Sequence, residues 1–169
     1  MGFGQSGNVA GNVEESGGVV MTEAIKRLTS VEALNACILH VEFEDGLKGD
    51  VDMSKYINRY KEYMPLRENS ALWRQAYIGN WGWGVAWPGN IDMDADSLYR
   101  SLLEQTGESM HPADFAEWME KNRFTYDEAA SALGISRRNV AYYKSGKKII
   151  PRYIRLACLG YMLEHRKAS

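Results

Sequence analysis

The chain has 169 residues, 45% of them hydrophobic and 25% charged. That balance belongs to an ordinary soluble globular protein of one domain or two small ones. No apolar run reaches the roughly 18 residues of a membrane span, and no basic segment leads into a hydrophobic one at the N-terminus, so neither a membrane anchor nor a secretory signal is expected. Cys37 and Cys158 lie far apart in unlike contexts, which suits a reducing cytoplasm, and three histidines (His40, His111, His165) exclude a histidine-rich metal site. The formal net charge of −2 hides an asymmetry. Residues 1–110 carry 9 Lys+Arg and 16 Asp+Glu, a balance of −7, whereas residues 111–169 carry 11 and 6, a balance of +5. An acidic front half joined to a basic back half predicts two modules with different partners, and a basic module points first to nucleic acid.

In chain order, residues 1–20 hold six glycines and no Lys or Arg, and read as a flexible leader extending to about residue 22. From Val31 to Asp52 the pattern is that of strands: Leu39, Val41 and Phe43 alternate with Ile38, His40 and Glu42. Asp45-Gly46 is a hairpin signal, since both residues tolerate positive φ, and Leu47–Val51 is the returning strand. Met53–Met64 reads as a short helix opened by Ser54 and closed by Pro65. A second strand pair is expected at 75–79 and 82–87, ended by Pro88-Gly89-Asn90. Asp92, Asp94 and Asp96 offer caps for a helix over about 95–105, with Gly107 beyond its end.

From Met110 on, every signal is helical. Pro112 suits a first turn, and Phe115, Trp118 and Met119 share a face. Thr125-Tyr-Asp-Glu128 fits a capping box. Gly134 stops that helix and Ser136 caps the next, which runs to about Lys144. Pro151 opens a last helix to about His165. Two of these helices, joined at Gly134-Ile135, have the spacing of a crossed pair: Ala130 is small where they touch, Gly134 supplies positive φ, and Val140 and Tyr143 face inward. Outward, the second helix carries Ser136, Arg137, Arg138, Asn139 and Tyr142, with Lys144, Lys147 and Lys148 at its far end. Arg can donate two parallel bonds to guanine and Asn can pair with adenine. Ser, Tyr and Lys can hold phosphates, and a helix N-terminus adds its own amides.

Residues 111–166 resemble a helix-turn-helix of the Cro/repressor type, on the core Ala130, Gly134, Ser136 and Val140. The resemblance implies that Arg137, Arg138, Asn139 and Tyr142 read bases and that Tyr126, opening the preceding helix where the family commonly has Gln, stands at a phosphate-touching position. The middle of the chain resembles a second bacterial family, domain of unknown function 2442, on Val41-Glu-Phe-Glu-Asp-Gly46, Asp50-Val-Asp-Met-Ser54, Pro65-Leu-Arg67, Trp87-Pro-Gly-Asn-Ile-Asp92 and Asp96-Ser-Leu-Tyr99. It implies a small α+β fold, sometimes fused to a C-terminal helix-turn-helix, and little about activity.

Other clusters have plainer readings. Trp81, Trp83 and Trp87 fall on one face of a strand at a period of two and read as a small sheet's core plus one or two exposed rings rather than as a ligand platform. Asp-x-Asp-x-Asp at 92–96 lacks the Gly and Glu of a calcium loop and reads as capping. Cys37 and Cys158 read as buried small hydrophobes, and the last helix as closing the core, with its leftover aromatic and Met residues available to pair two chains. No phosphate loop, catalytic triad or zinc-protease motif is present, so an enzyme is not expected, and no cofactor is implied.

The expectation is therefore an α+β protein: a leader at 1–22, an acidic α+β domain of antiparallel strands and short helices at 23–107, and an all-α helix-turn-helix domain at 111–166. Its expected function is sequence-specific binding of double-stranded DNA, as a homodimeric bacterial transcriptional regulator in the cytoplasm. Ser136, Arg137, Arg138, Asn139, Tyr142, Lys144, Lys147, Lys148 and Tyr126 are the expected DNA contacts. The competing expectation is an antitoxin-like interaction module whose acidic domain binds a protein partner, with DNA secondary.

Overall fold

The computed structural model describes residues 26–35 and 37–166; the expected leader at 1–22 lies outside the described residues. The fold is α+β, with three small antiparallel sheets and eight α-helices among the described residues. The first sheet is a meander of β1 (Leu28–Ala33), β2 (Ile38–Phe43) and β3 (Lys48–Asp52). Its alternation is the one the sequence predicts: Leu39, Val41 and Phe43 are buried, while His40 and Glu42 face outward, where His40 Nδ1 lies 2.6 Å from Asp50 Oδ1 on the paired strand. The β2–β3 turn differs from expectation. Only Gly46 takes positive φ (+89°). Asp45 instead accepts the Leu47 N–H at 3.0 Å through its side chain, and the loop closes through Phe43 N–H to Leu47 O. A local side-chain bond thus does what a second left-handed residue would have done.

After β3 come α1 (Ser54–Arg59), α2 (Met64–Glu68) and α3 (Ser70–Trp73). Pro65 does not close the first helix as expected. That helix ends at Arg59, and Pro65 stands in the first turn of α2, where its missing N–H has no partner to lose. Ser54 is not the cap either: the Asp52 carboxylate accepts both Ser54 N–H and Ser54 Oγ–H. The second sheet has one strand more than expected, in the order β4 (Tyr77–Gly79), β5 (Gly84–Trp87), β6 (Ile91–Asp94). Asp94 both ends β6 and caps α4 (Ala95–Gln105), accepting Ser97 N–H at 2.7 Å.

The tryptophans give the expected buried core ring and exposed rings, but they do not share one face. A 3₁₀ turn at Asn80–Gly82 breaks the period of two, with Asn80, Trp81 and Gly82 all at positive φ. Trp87 is buried, Trp83 is half-exposed beneath Arg27, and Trp81 is 92% exposed. Trp87 stacks on Trp73 at 5.5 Å and donates its indole N–H to Trp73 O, and Trp73 donates to Leu34 O. These rings join Leu39, Val41, Val51 and Leu98 in the first of two hydrophobic cores. Cys37 is a second correction: it is half-buried at a turn with φ +62°, not a core residue, whereas Cys158 is fully buried.

The second core is built by α5 (Pro112–Lys121), α6 (Tyr126–Leu133), α7 (Arg137–Lys144) and α8 (Arg152–Arg166), around Phe115, Trp118, Val140, Tyr143, Ile154 and Cys158. A two-residue ladder of β7 (Ser109–Met110) with β8 (Ile150–Pro151) ties its ends together, so Pro151 precedes the last helix in a strand instead of opening it. As expected, α8 leaves apolar residues outside that core: Tyr153, Leu156, Leu159, Met162 and Leu163 are exposed. Arg100 on α4 donates to Gly146 O at 3.0 Å, linking the two halves. Among the described residues no helix is long and apolar enough to cross a membrane.

Three carboxylates are held below their ordinary range: Asp52 by the hydrogen bonds from Ser54, Glu128 by those from Thr125, and Asp45, against its burial, by hydrogen bonds from Leu47 N–H, Tyr99 and Lys26. A carboxyl whose pKa is lower folded than unfolded stabilises the fold above its unfolded value, and that contribution is lost as pH falls. The urea midpoint should therefore stay level from neutral pH to about 5 and decline below about 4. An Asp52→Asn/Glu128→Gln double variant should show a shallower decline; an unchanged slope would remove these two groups from the account.

Candidate nucleic-acid interface

The predicted capping box is present: Thr125 Oγ1 accepts Glu128 N–H, and the Glu128 carboxylate accepts Thr125 N–H at 2.7 Å. It fixes the start of α6. Gly134, at φ +65°, ends α6 and donates its N–H back to Ala130 and Ser131 carbonyls. Ser136 then caps α7 by accepting Asn139 N–H at 3.2 Å. Three residues thus separate the two helices, and α7 is clamped by Val140 (fully buried) and Tyr143, whose ring meets Phe115 of α5 edge-on at 5.8 Å.

With Val140 and Tyr143 inward, helical geometry sets Arg138 and Tyr142, at i and i+4, on the middle of the outward face. Arg137 lies to one side of them and Asn139, partly buried, to the other. Ser136, Arg137, Arg138, Lys144, Lys147 and Lys148 are all exposed. The cations gather round two tyrosine rings. Tyr142 has Arg138, Lys147 and Lys148 within 5.3 Å of its centroid. Tyr126 has Arg137 at 5.6 Å and Lys144 at 5.2 Å. The predicted residues thus fall into two clusters, Arg138, Asn139, Lys147 and Lys148 about Tyr142 and Arg137 with Lys144 about Tyr126, with Ser136 at the cap of α7.

Specific bonds order this surface. Arg138 Nε donates to Tyr142 Oη at 2.7 Å. That bond, with the positive charges of Arg138, Lys147 and Lys148 around it, holds the Tyr142 phenol below its ordinary pKa. Lys148 Nζ donates to Asn139 Oδ1 at 3.4 Å. Arg137 Nε sits 3.3 Å from Asp127 Oδ1. Sequence reasoning passed over Asp127; the available signal was a carboxylate in the first turn of the helix preceding a basic one. An exposed pair of this kind is worth about 0.2–1 kcal/mol. If Arg137 must leave Asp127 to meet an anion, Asp127→Asn should tighten anion binding by about twofold to fivefold. Titration of a fluorescent duplex against both proteins checks this; equal or weaker binding by the variant would show that the pair does not compete.

Elsewhere the site chemistry is sparse. Among the described residues no three His, Cys, Asp or Glu side chains are grouped to hold a metal ion. The carboxylate of Asp94 is spent on capping α4, and that of Asp50 faces His40.

Comparison with known proteins agrees in part with this organisation. Residues 28–103 match the family described as "Protein of unknown function (DUF2442)". No curated protein matches the chain significantly. A solved structure from Nitrosomonas europaea ATCC 19718, described as "Putative DNA Binding Protein NE0471", is 35% identical, with a TM-score of 0.52 over 81% of this chain and 86% of that one. Coverage of 81% exceeds what residues 28–103 can supply, so the likeness carries into the region beyond them. The segment from β1 to α4 is therefore a DUF2442 domain, and the chain over most of its length is related to the Nitrosomonas europaea protein.

Proposed function

We propose that the protein binds double-stranded DNA sequence-specifically, as a transcriptional regulator of the Cro/repressor helix-turn-helix kind. The observation that carries this reading is α7: locked inward by Val140 and Tyr143, it sets Arg138 and Tyr142 on the middle of the outward face, with Arg137 and Asn139 on its two flanks, on a helix that fits a major groove. In this reading those four side chains meet base edges. Ser136, Tyr126, Lys144, Lys147 and Lys148 meet phosphates. The DNA-binding description of the Nitrosomonas europaea relative supports the same reading. One such module buries little surface, and dimers on half-sites about one helical turn apart are the common solution. The exposed Leu156, Leu159 and Leu163 of α8 favour a homodimer. We further take the protein to act in the cytoplasm and to have no enzymatic activity.

The test is selection of bound duplexes from a random pool by the full chain at about 150 mM salt, where nonspecific binding is weak. One enriched motif, palindromic if the protein dimerises, is the expected result. Weak, salt-sensitive retention with no enrichment would overturn the sequence-specific reading. One observation favours a second partner: Trp81 is 92% exposed on a turn of three consecutive positive-φ residues. A large rigid aromatic presented in this way is a typical anchor for a protein surface, which supports a protein partner at the acidic domain.

A further inference from the structure

A cavity of about 600 Å³ opens where α4 and the 106–114 segment meet α5 and α8, within the size range of small-molecule sites. Its apolar wall includes Trp118, Cys158 and Met162. Trp118 is almost fully buried, and its Nε1 has no hydrogen-bond partner among the described residues.

The charged groups around this wall are only partly paired with one another. Lys121 and Glu117 pair with each other at 2.7 Å and cancel. His111 Nδ1 accepts the Ala113 N–H, which leaves Nε2–H as its donor. Arg155 also lines the cavity, and among the described residues no hydrogen bond or ion pair engages its guanidinium. Opposing it in charge are Glu104 and Asp114, two carboxylates near enough to repel. Burial pushes the Glu104 carboxyl up, partly offset by His111 and Arg100. A cavity with one unpaired cation, a pair of like-charged carboxylates and an apolar wall asks for a ligand carrying an anion, a cation and an apolar body together.

We propose that this cavity binds an apolar zwitterion of the amino-acid class. Its ammonium lies at Glu104 and Asp114, its carboxylate at Arg155, and its side chain against Trp118, Cys158 and Met162. None of these residues belongs to the DNA surface, so the inference stands apart from that reading.

The probes are L-phenylalanine, phenethylamine, which lacks the carboxylate, and 3-phenylpropanoate, which lacks the ammonium. Each is titrated into the full-length protein while the tryptophan indole N–H resonances are followed by NMR, with Trp118 assigned through Trp118→Phe. The expected result is a saturable shift of the Trp118 resonance with L-phenylalanine, and binding about tenfold or more weaker for the other two. Arg155→Gln should erase the preference over phenethylamine, and Glu104→Gln with Asp114→Asn the preference over 3-phenylpropanoate. The dispersed spectrum of each variant reports that it is folded. No saturable shift at Trp118, or equal binding of all three probes, would overturn the proposal. A protein that selects a DNA motif yet shows neither effect would sink this inference and leave the DNA reading standing.

Discussion

Replacing Arg138 by Ala is expected to weaken binding to the selected duplex by roughly 1–3 kcal/mol, about fivefold to 150-fold, and to relax base preference at one position. The argument is geometric. Arg138 stands at the centre of the outward face of α7, and its Nε is already held by Tyr142 Oη at 2.7 Å. That bond uses the inner edge of the guanidinium and leaves its terminal Nη groups for a two-pronged contact with guanine. It also limits the rotamers the side chain must surrender on binding. Tyr142→Phe keeps the ring beneath the cations but removes the hydroxyl, so it should show part of the Arg138→Ala loss and the same relaxation at the same base. Lys147→Ala should behave differently. Its contact is to phosphate, so binding should fall evenly across sequences and the salt dependence should drop by about one unit of slope. These outcomes are read by fluorescence anisotropy on the selected duplex, on single-base variants and across a salt series. Equal losses on every sequence for Arg138→Ala would move this residue from base reading to phosphate holding.

The sequence treats Arg137 and Arg138 alike, and the structure does not. Arg137 is drawn aside by Asp127 and the Tyr126 ring, while Arg138 is aimed outward by Tyr142. This distinction is set by contacts between α6 and α7 and has no local signal. What was legible was local. The Thr125–Glu128 capping box, Gly134 at φ +65° and the Ser136 cap each depend on residues within a single turn, and each appears as the sequence predicts. The alternation of β2 was legible too, because one face is buried and the other is not. Misreadings arose where a tertiary partner decides. Pro65 opens α2 because Tyr60–Tyr63 had already left the α-helix. The third strand of the second sheet was hidden because Asp92 and Asp94, poor strand formers, sit on its outer face, with Asp94 also serving as a helix cap. The charged groups of the cavity come from α4, α5 and α8, which no short window of sequence places together.

Trp87→Ala is expected to lower the stability of the folded chain by about 3–5 kcal/mol, whereas Trp81→Ala should change it by less than about 0.5 kcal/mol. Identical substitutions only six residues apart should therefore differ by a sizeable fraction of a small protein's stability, which is about 5–15 kcal/mol. Trp87 is 1% exposed, stacks on Trp73 and donates its N–H to Trp73 O. Its removal leaves a cavity in the first core and a buried carbonyl short of one donor, and the neighbours have little room to close. Trp81 has no such surroundings, since the left-handed turn at 80–82 throws it into solvent. Urea denaturation followed by far-ultraviolet circular dichroism separates the two variants. If Trp81→Ala proved as destabilising as Trp87→Ala, the turn would be burying its ring in solution, and the proposed protein-facing role of Trp81 would be lost. If it leaves stability unchanged, the ring is free to be used by a partner, and loss of that partner on Trp81→Ala becomes a clean functional readout.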